Sequence, residues 1–174
     1  MSFNESHLKL VDALSDSDIE PQKGLPEEIF LLVSRLTPMI NVDLLIKNKE
    51  NETLLTWRED QFYKGWHIPG GIIRFKEKMG SRVEAVAKTE LGASVTFDNT
   101  PMMIREIFAE KRDIRGHFIS LLFRCKLTSD LAEELRCTDP ERPGPNQWFW
   151  HKKRPATLIE QHLEYAPFID SDDF

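Results

Sequence analysis

Cysteine is scarce. Only Cys125 and Cys137 occur in 174 residues, without C-x-x-C spacing, so the chain encodes neither a disulfide framework nor a zinc knuckle; a reducing, cytoplasmic setting is the expectation. Basic residues are outnumbered. The 23 Lys and Arg against 29 Asp and Glu leave a formal net charge of -6, which argues against a general nucleic-acid surface. No apolar run approaches the length of a membrane span, and Met1 to Ser6 lacks the basic start and apolar core of a signal peptide. A soluble protein without a membrane partner is expected. Repeats and low-complexity tracts are lacking too, and 174 residues suit a single domain with a core of its own.

What is present is a series of short elements. Residues 1–24 are polar and acidic, and read as an N-terminal arm, loosely held or forming a short helix at Leu8 to Leu14. The domain proper spans 25–174. It opens on a helix from Pro26 to about Arg35, with proline and acids in its first turn. Val42 to Ile46 and Thr53 to Trp57 read as strands of one hairpin around Asn48-Lys49-Glu50-Asn51. Strands follow near Ala93 to Phe97, Met102 to Phe108, His117 to Leu127 and Gln147 to Trp150, the last after a proline-rich loop from Pro140 to Pro145. Ala156 to Tyr165 closes the chain as a helix. Strands on both sides of one central helix predict an α/β (α+β) fold with a mixed β-sheet covered by helices.

The central helix carries the chemistry. Met79, Val83, Val86, Ala87 and Leu91 recur at steps of three and four, giving one apolar stripe, and Gly92 ends the helix. Upstream, the short strand Trp66-His67-Ile68-Pro69 runs into Gly70-Gly71, where a missing Cβ permits close approach of a ligand or ion. Glu90 falls at the helix end, where the macrodipole disfavours a carboxylate. An acid so placed points to a cation partner, or is simply solvated.

The segment from Gly70 to Gly92 resembles a Nudix box, G-x5-E-x7-R-E-U-x-E-E-x-G-U, in degenerate form. Gly71, Glu77, Glu90 and Gly92 match, while Ala85, Val86 and Thr89 replace the arginine and two glutamates. This pattern is similar to the GDP-mannose mannosyl hydrolase branch, which cleaves at the sugar carbon rather than at phosphorus. Arg35-Leu36-Thr37-Pro38, Asp43, the strand Leu54-Leu55-Thr56-Trp57-Arg58 and the strand opening at His117 extend the similarity over roughly residues 28 to 165. The resemblance implies an α/β/α sandwich with the motif helix packed on the sheet, and a homodimer formed through the N-terminal region, where Ile29, Leu32 and Val33 offer an apolar face. It also implies a magnesium ion, with manganese as the alternative, held by Glu90 and the carbonyl of Gly70, with Glu77 as the second matching acid. Arg58 would neutralise the diphosphate leaving group, and Arg35, Asp43, Arg74 and His117 would bind the nucleotide sugar.

The chain departs from that branch at the base. No histidine lies between Asp139 and Gln147, so Glu141 is the expected proton acceptor; Ile72 stands where an arginine is expected, with Arg74 two positions on. Several residues keep a structural alternative. Arg58 has Glu59 and Asp60 as ion-pair neighbours, Glu77 is placed to cap the helix or hold a nearby Lys or Arg, and His117 alone reads as structural. Asp43 among apolar neighbours must be paired, inter-subunit or in the site. Trp148 and Trp150 read as core. Three functions follow: a magnesium-dependent hydrolase of a nucleoside diphosphate sugar, an ordinary pyrophosphohydrolase, or a nucleotide-sugar-binding regulator.

Overall fold

The structure, a computed structural model, describes residues 5–15 and 17–172. Its elements run α1 (Glu5–Ser15), α2 (Glu27–Leu36), β1 (Met39–Ile46), β2 (Thr53–Glu59), β3 (Lys64–His67), β4 (Gly70–Ile72), α3 (Met79–Leu91), β5 (Val95–Phe97), β6 (Met103–Phe108), β7 (His117–Leu127), β8 (Trp148–His151) and α4 (Ala166–Ile169). Short 3-10 turns lie at Glu133–Leu135 and Glu160–Tyr165.

A mixed sheet forms the centre. β1 pairs parallel with β7, from Met39 opposite Phe118 to Ile46 opposite Cys125, and antiparallel with β4, where Asp43 faces Gly70. The other edge of β7 takes β6 along its first half and β5 along its last residues. Its inner strands are buried on both faces, as parallel strands require. Val42, Leu44 and Ile46 pack with Val83, Val86, Ala87 and Leu91 of α3, whereas Leu45 packs with Tyr165 and Ile169 near the C-terminus.

The expected hairpin does not form. β1 and β2 meet only at a bridge between Lys47 and Thr53, and β2 enters a separate antiparallel sheet of order β3-β2-β8. The reason is two-sided burial. Leu54 and Leu55 point to opposite faces and are both fully buried, so β2 needs cover on each side; Trp148 of β8 and Trp66 of β3 lie in the two clusters that provide it. Trp148 and Trp150 pack in the core beside α3 and Phe149 in the opposite one, which is the alternation of a strand. The closing helix is also shorter than the sequence suggests, a 3-10 turn followed by the single α-turn of α4.

α3 matches its sequence pattern. Gly92 caps it with φ 63°, and a Cβ there would overlap Ala132, so glycine is required on both counts. Val86 is 3% exposed and belongs to the core, while the Thr89 hydroxyl bonds back to the carbonyl of Ala85 at 2.8 Å. Two positions where the motif places acids thus serve packing and helix instead.

Candidate active site

Strand ends and one helix end converge on a cavity of about 460 Å³, within the range of small-molecule sites. β1 supplies Asn41 and Asp43, β2 supplies Thr56 and Arg58, and β3 supplies His67. Gly70 to Ile72 of β4, Glu90 of α3, Arg115 before β7 and His162 of the second 3-10 turn complete the wall. The sheet places these side chains because inward positions alternate along each strand, so Thr56 and Arg58, two apart, face the same way.

Acids occupy the floor. Glu90 accepts from the Thr56 hydroxyl at 3.1 Å and from the Gly70 N–H at 3.4 Å. Burial pushes its pKa up to about 7, and the charge of Asp43 adds to the rise. Thr56 also lies 3.0 Å from His67 Nε2, yet has one proton to give. His67 Nδ1 donates to the carbonyl of Ile68 at 2.8 Å, so Nε2 of the neutral ring is an acceptor. Neutrality is enforced by burial, helped by the charge of Arg58, which together hold the His67 pKa down to about 3. The single Thr56 proton therefore goes to Glu90 or to His67 at any one time.

Asp43 is tied down as firmly. Its Oδ2 accepts from Tyr165 Oη at 2.5 Å, Asn41 Nδ2 at 3.0 Å and the Ser120 hydroxyl. The residue is 2% exposed, and burial raises its pKa to about 6 against the pull of those three donors. A carboxylate whose folded pKa lies above its unfolded value favours folding in its protonated form, a contribution lost as pH climbs to the folded value. In metal-free protein, stability should therefore fall between about pH 4 and 7, and Asp43→Asn should flatten the lower part of that decline, leaving the part due to Glu90. Melting temperatures across this range in a chelator test it; an unchanged slope in the variant would refute the assignment to Asp43.

Cations gather at the rim. Arg58 pairs with Asp60 at 2.6 Å, the ion pair open to it in the sequence, and also lines the cavity. Arg58, Arg112 and Arg115 stand 4.8, 4.3 and 5.6 Å from the ring of Tyr63. The Arg115 guanidinium makes no ion pair among the described residues, and its Nε is buried without a hydrogen-bond partner. Of the three, Arg58 and Arg115 line the cavity, beside Asp60, which pairs with Arg58, and Glu59, which pairs with Lys64.

The structure thus brings together Arg58, Asp43, Gly70 and Glu90. It leaves other sequence-derived residues outside the cavity wall. Glu77 is held by Arg82 through two bonds of 2.8 Å and accepts the Arg74 N–H, fastening the glycine loop to α3, the supporting role open to it in the sequence. His117 bonds Glu106 at 3.1 Å and stacks on Phe108. Arg35 and Arg74 are exposed. Glu141 lies exposed in the loop before β8, its N–H donating to Asp139, whereas Pro145 and Asn146 are the residues of that loop that reach the cavity. Thr56, His67, Arg115 and His162 are the residues that sequence reasoning missed. The only signal was polarity within otherwise apolar strands, at Thr56 and His67.

Among the described residues no group of three or more His, Cys, Asp or Glu is arranged to hold a metal. The donors present are hard carboxylate oxygens of Glu90 and Asp43, both with pKa raised by burial. That set fits a magnesium ion, which keeps several waters and takes few protein ligands, better than zinc.

No family model matches the chain. A curated relative, the low-salt glycan biosynthesis protein Agl8 of Haloferax volcanii, is 28% identical over 146 residues, 78% of this chain and 92% of that protein. Among solved structures, a MutT NUDIX hydrolase from Burkholderia pseudomallei superposes with TM-score 0.57 at 17% identity, over 76% of this chain and 98% of its own. A NUDIX-family hydrolase from Clostridium perfringens gives 0.56 at 16%, over 77% and 97%. The fold is that of the Nudix hydrolases.

Proposed function

We propose that this cavity hydrolyses a nucleoside diphosphate sugar with the help of a divalent cation, releasing the sugar and a nucleoside diphosphate. The carrying observation is that one cavity holds two buried acids, Glu90 and Asp43, together with two guanidiniums, Arg58, which Asp60 pairs, and Arg115, which makes no ion pair among the described residues. A diphosphate is the ligand that such a site suits, because its oxygens can meet both a cation held by the acids and the guanidiniums directly. The similarity to a glycan biosynthesis protein supports a sugar on that diphosphate.

Glu90 would hold the ion, beside the backbone of Gly70 and with Asp43 across the strand pair. When bound, the ion neutralises charge on the leaving diphosphate. Arg58, partly engaged by Asp60, shares that task. Asp43 keeps its place through Tyr165, Ser120 and Asn41, so the floor does not reorganise as charge develops.

The deciding experiment is product analysis with GDP-mannose and related nucleotide sugars plus magnesium in oxygen-18 water. Label in the free sugar establishes attack at carbon. Label in phosphate establishes the pyrophosphohydrolase alternative, and binding without turnover establishes the regulator.

A further inference from the structure

Ile68 fixes the protonation sites of two imidazoles at once. Its carbonyl receives the proton of His67 Nδ1, and its N–H donates to His162 Nδ1 at 3.2 Å. A backbone N–H can only donate, so Nδ1 of His162 is an acceptor and its proton sits on Nε2. The two rings therefore stand in opposite tautomers, one offering an acceptor nitrogen and the other a donor.

The His162 donor is preorganised and unused. The 3-10 turn that carries it is stitched to the second sheet, with Ile159 N–H donating to the Trp66 carbonyl at 2.9 Å and His162 N–H to the Ile159 carbonyl at 2.8 Å. Its ring meets His67 edge-on at 5.7 Å and Tyr165 at 5.3 Å, which fixes its plane. Nε2 makes no hydrogen bond among the described residues, although His162 lines the cavity. Burial, helped by the charge of Arg58, keeps the ring neutral at physiological pH.

We propose that His162 is a specificity-determining residue, its Nε2–H donating to a hydroxyl oxygen of the sugar in the bound substrate. An uncharged donor suits an uncharged acceptor, whereas the phosphates have Arg58 and Arg115. This inference rests on the nucleotide-sugar reading of the cavity.

The test measures binding of GDP-mannose and of GDP to the full chain and to His162→Asn and His162→Gln. Asn can still accept from the Ile68 N–H but offers nothing at the Nε2 position; Gln reaches that position with an amide N–H. Expected are a loss of about 3- to 15-fold in GDP-mannose affinity for H162N, partial recovery for H162Q, and GDP binding within about 2-fold throughout. Nitrogen-15 NMR of the wild-type ring should show the Nε2–H tautomer from pH 6 to 8. An Nδ1–H tautomer, or H162N binding GDP-mannose as tightly as wild type, overturns the proposal alone. Equal losses for GDP and GDP-mannose place the acceptor on a phosphate and overturn the hydroxyl assignment. Wild-type protein that binds GDP no less tightly than GDP-mannose, and turns over no nucleotide sugar, overturns the site reading and this inference with it.

Discussion

Glu90→Gln should abolish turnover while making the metal-free protein more stable at pH 8. The two effects have one cause. In the folded state the Glu90 pKa is raised from 4.5 to about 7 by burial and by Asp43, so ionising this carboxylate costs folding free energy. That cost is absent below pH 4.5, grows as pH rises through the folded value, and is fully present at pH 8. Gln is isosteric and never ionises, so it escapes the cost; a gain on the order of 1–3 kcal/mol at pH 8 is expected, with little difference at pH 5. Turnover should drop by roughly 10³-fold, because the variant removes the negative charge that would hold the cation. Magnesium should raise the melting temperature of wild type and not of the variant. A Glu90→Gln protein that is destabilised yet active would show Glu90 to be a structural acid, and the proposed function would lose its central residue.

Gly70→Ala should damage fold and site together. A Cβ at this position would overlap Asp43 Oδ1 and lie 2.9 Å from the carbonyl of Val42. Neither neighbour can yield easily: Val42 is held in β1 between β4 and β7, and Asp43 Oδ2 is fixed by Tyr165, Asn41 and Ser120. Overpacking of this kind costs about 1–3 kcal/mol, and disturbing a buried hydrogen-bonded carboxylate adds about 1 kcal/mol, so a loss of about 2–4 kcal/mol is expected. For a chain of this length that corresponds to a melting temperature lower by roughly 5–15 °C. Activity should fall by about 10²-fold or more, since the Gly70 N–H also positions Glu90. Gly144→Ala is the control: its nearest neighbour is 3.4 Å from the new Cβ, and its stability should change by less than about 0.5 kcal/mol. Adding Asp43→Ala to Gly70→Ala should recover part of the lost stability, and additive losses would refute the clash.

Two of the motif positions that departed from pattern have physical explanations. Val86 fills the core between α3 and β1 and Thr89 bonds its own helix, whereas Glu77, which keeps to the pattern, is engaged by Arg82. What remains of the acid set is concentrated at one helix end. There Glu90 faces Asp43, an acid the motif does not contain.

The sequence by itself determined the local features: α3 and its glycine cap, and β7 with its bounds; Gly70-Gly71, read there as a loop, instead form strand β4 against β1. Such local features depend on periodicity and on residues adjacent in the chain, so they can be read without knowing what lies across the core. Arg58, Asp43, Gly70 and Glu90 were legible for a related reason, each being out of keeping with its immediate neighbours or matched to a known motif. Only the tertiary structure decided the rest. The parting of β1 from β2 follows from burial on both faces of each strand, which a hairpin pattern does not reveal. Arg115 reaches the cavity because α2 and the Phe62-Tyr63 loop pack around it, with Ser34 Oγ receiving its backbone N–H at 3.2 Å. His67 and His162 lie far apart in the chain and acquire complementary tautomers because the two backbone groups of Ile68 reach one ring each. The carbonyl that fixes His67 belongs to its chain neighbour, but the N–H that fixes His162 is 94 positions away in the chain, a contact that exists only once the chain has folded.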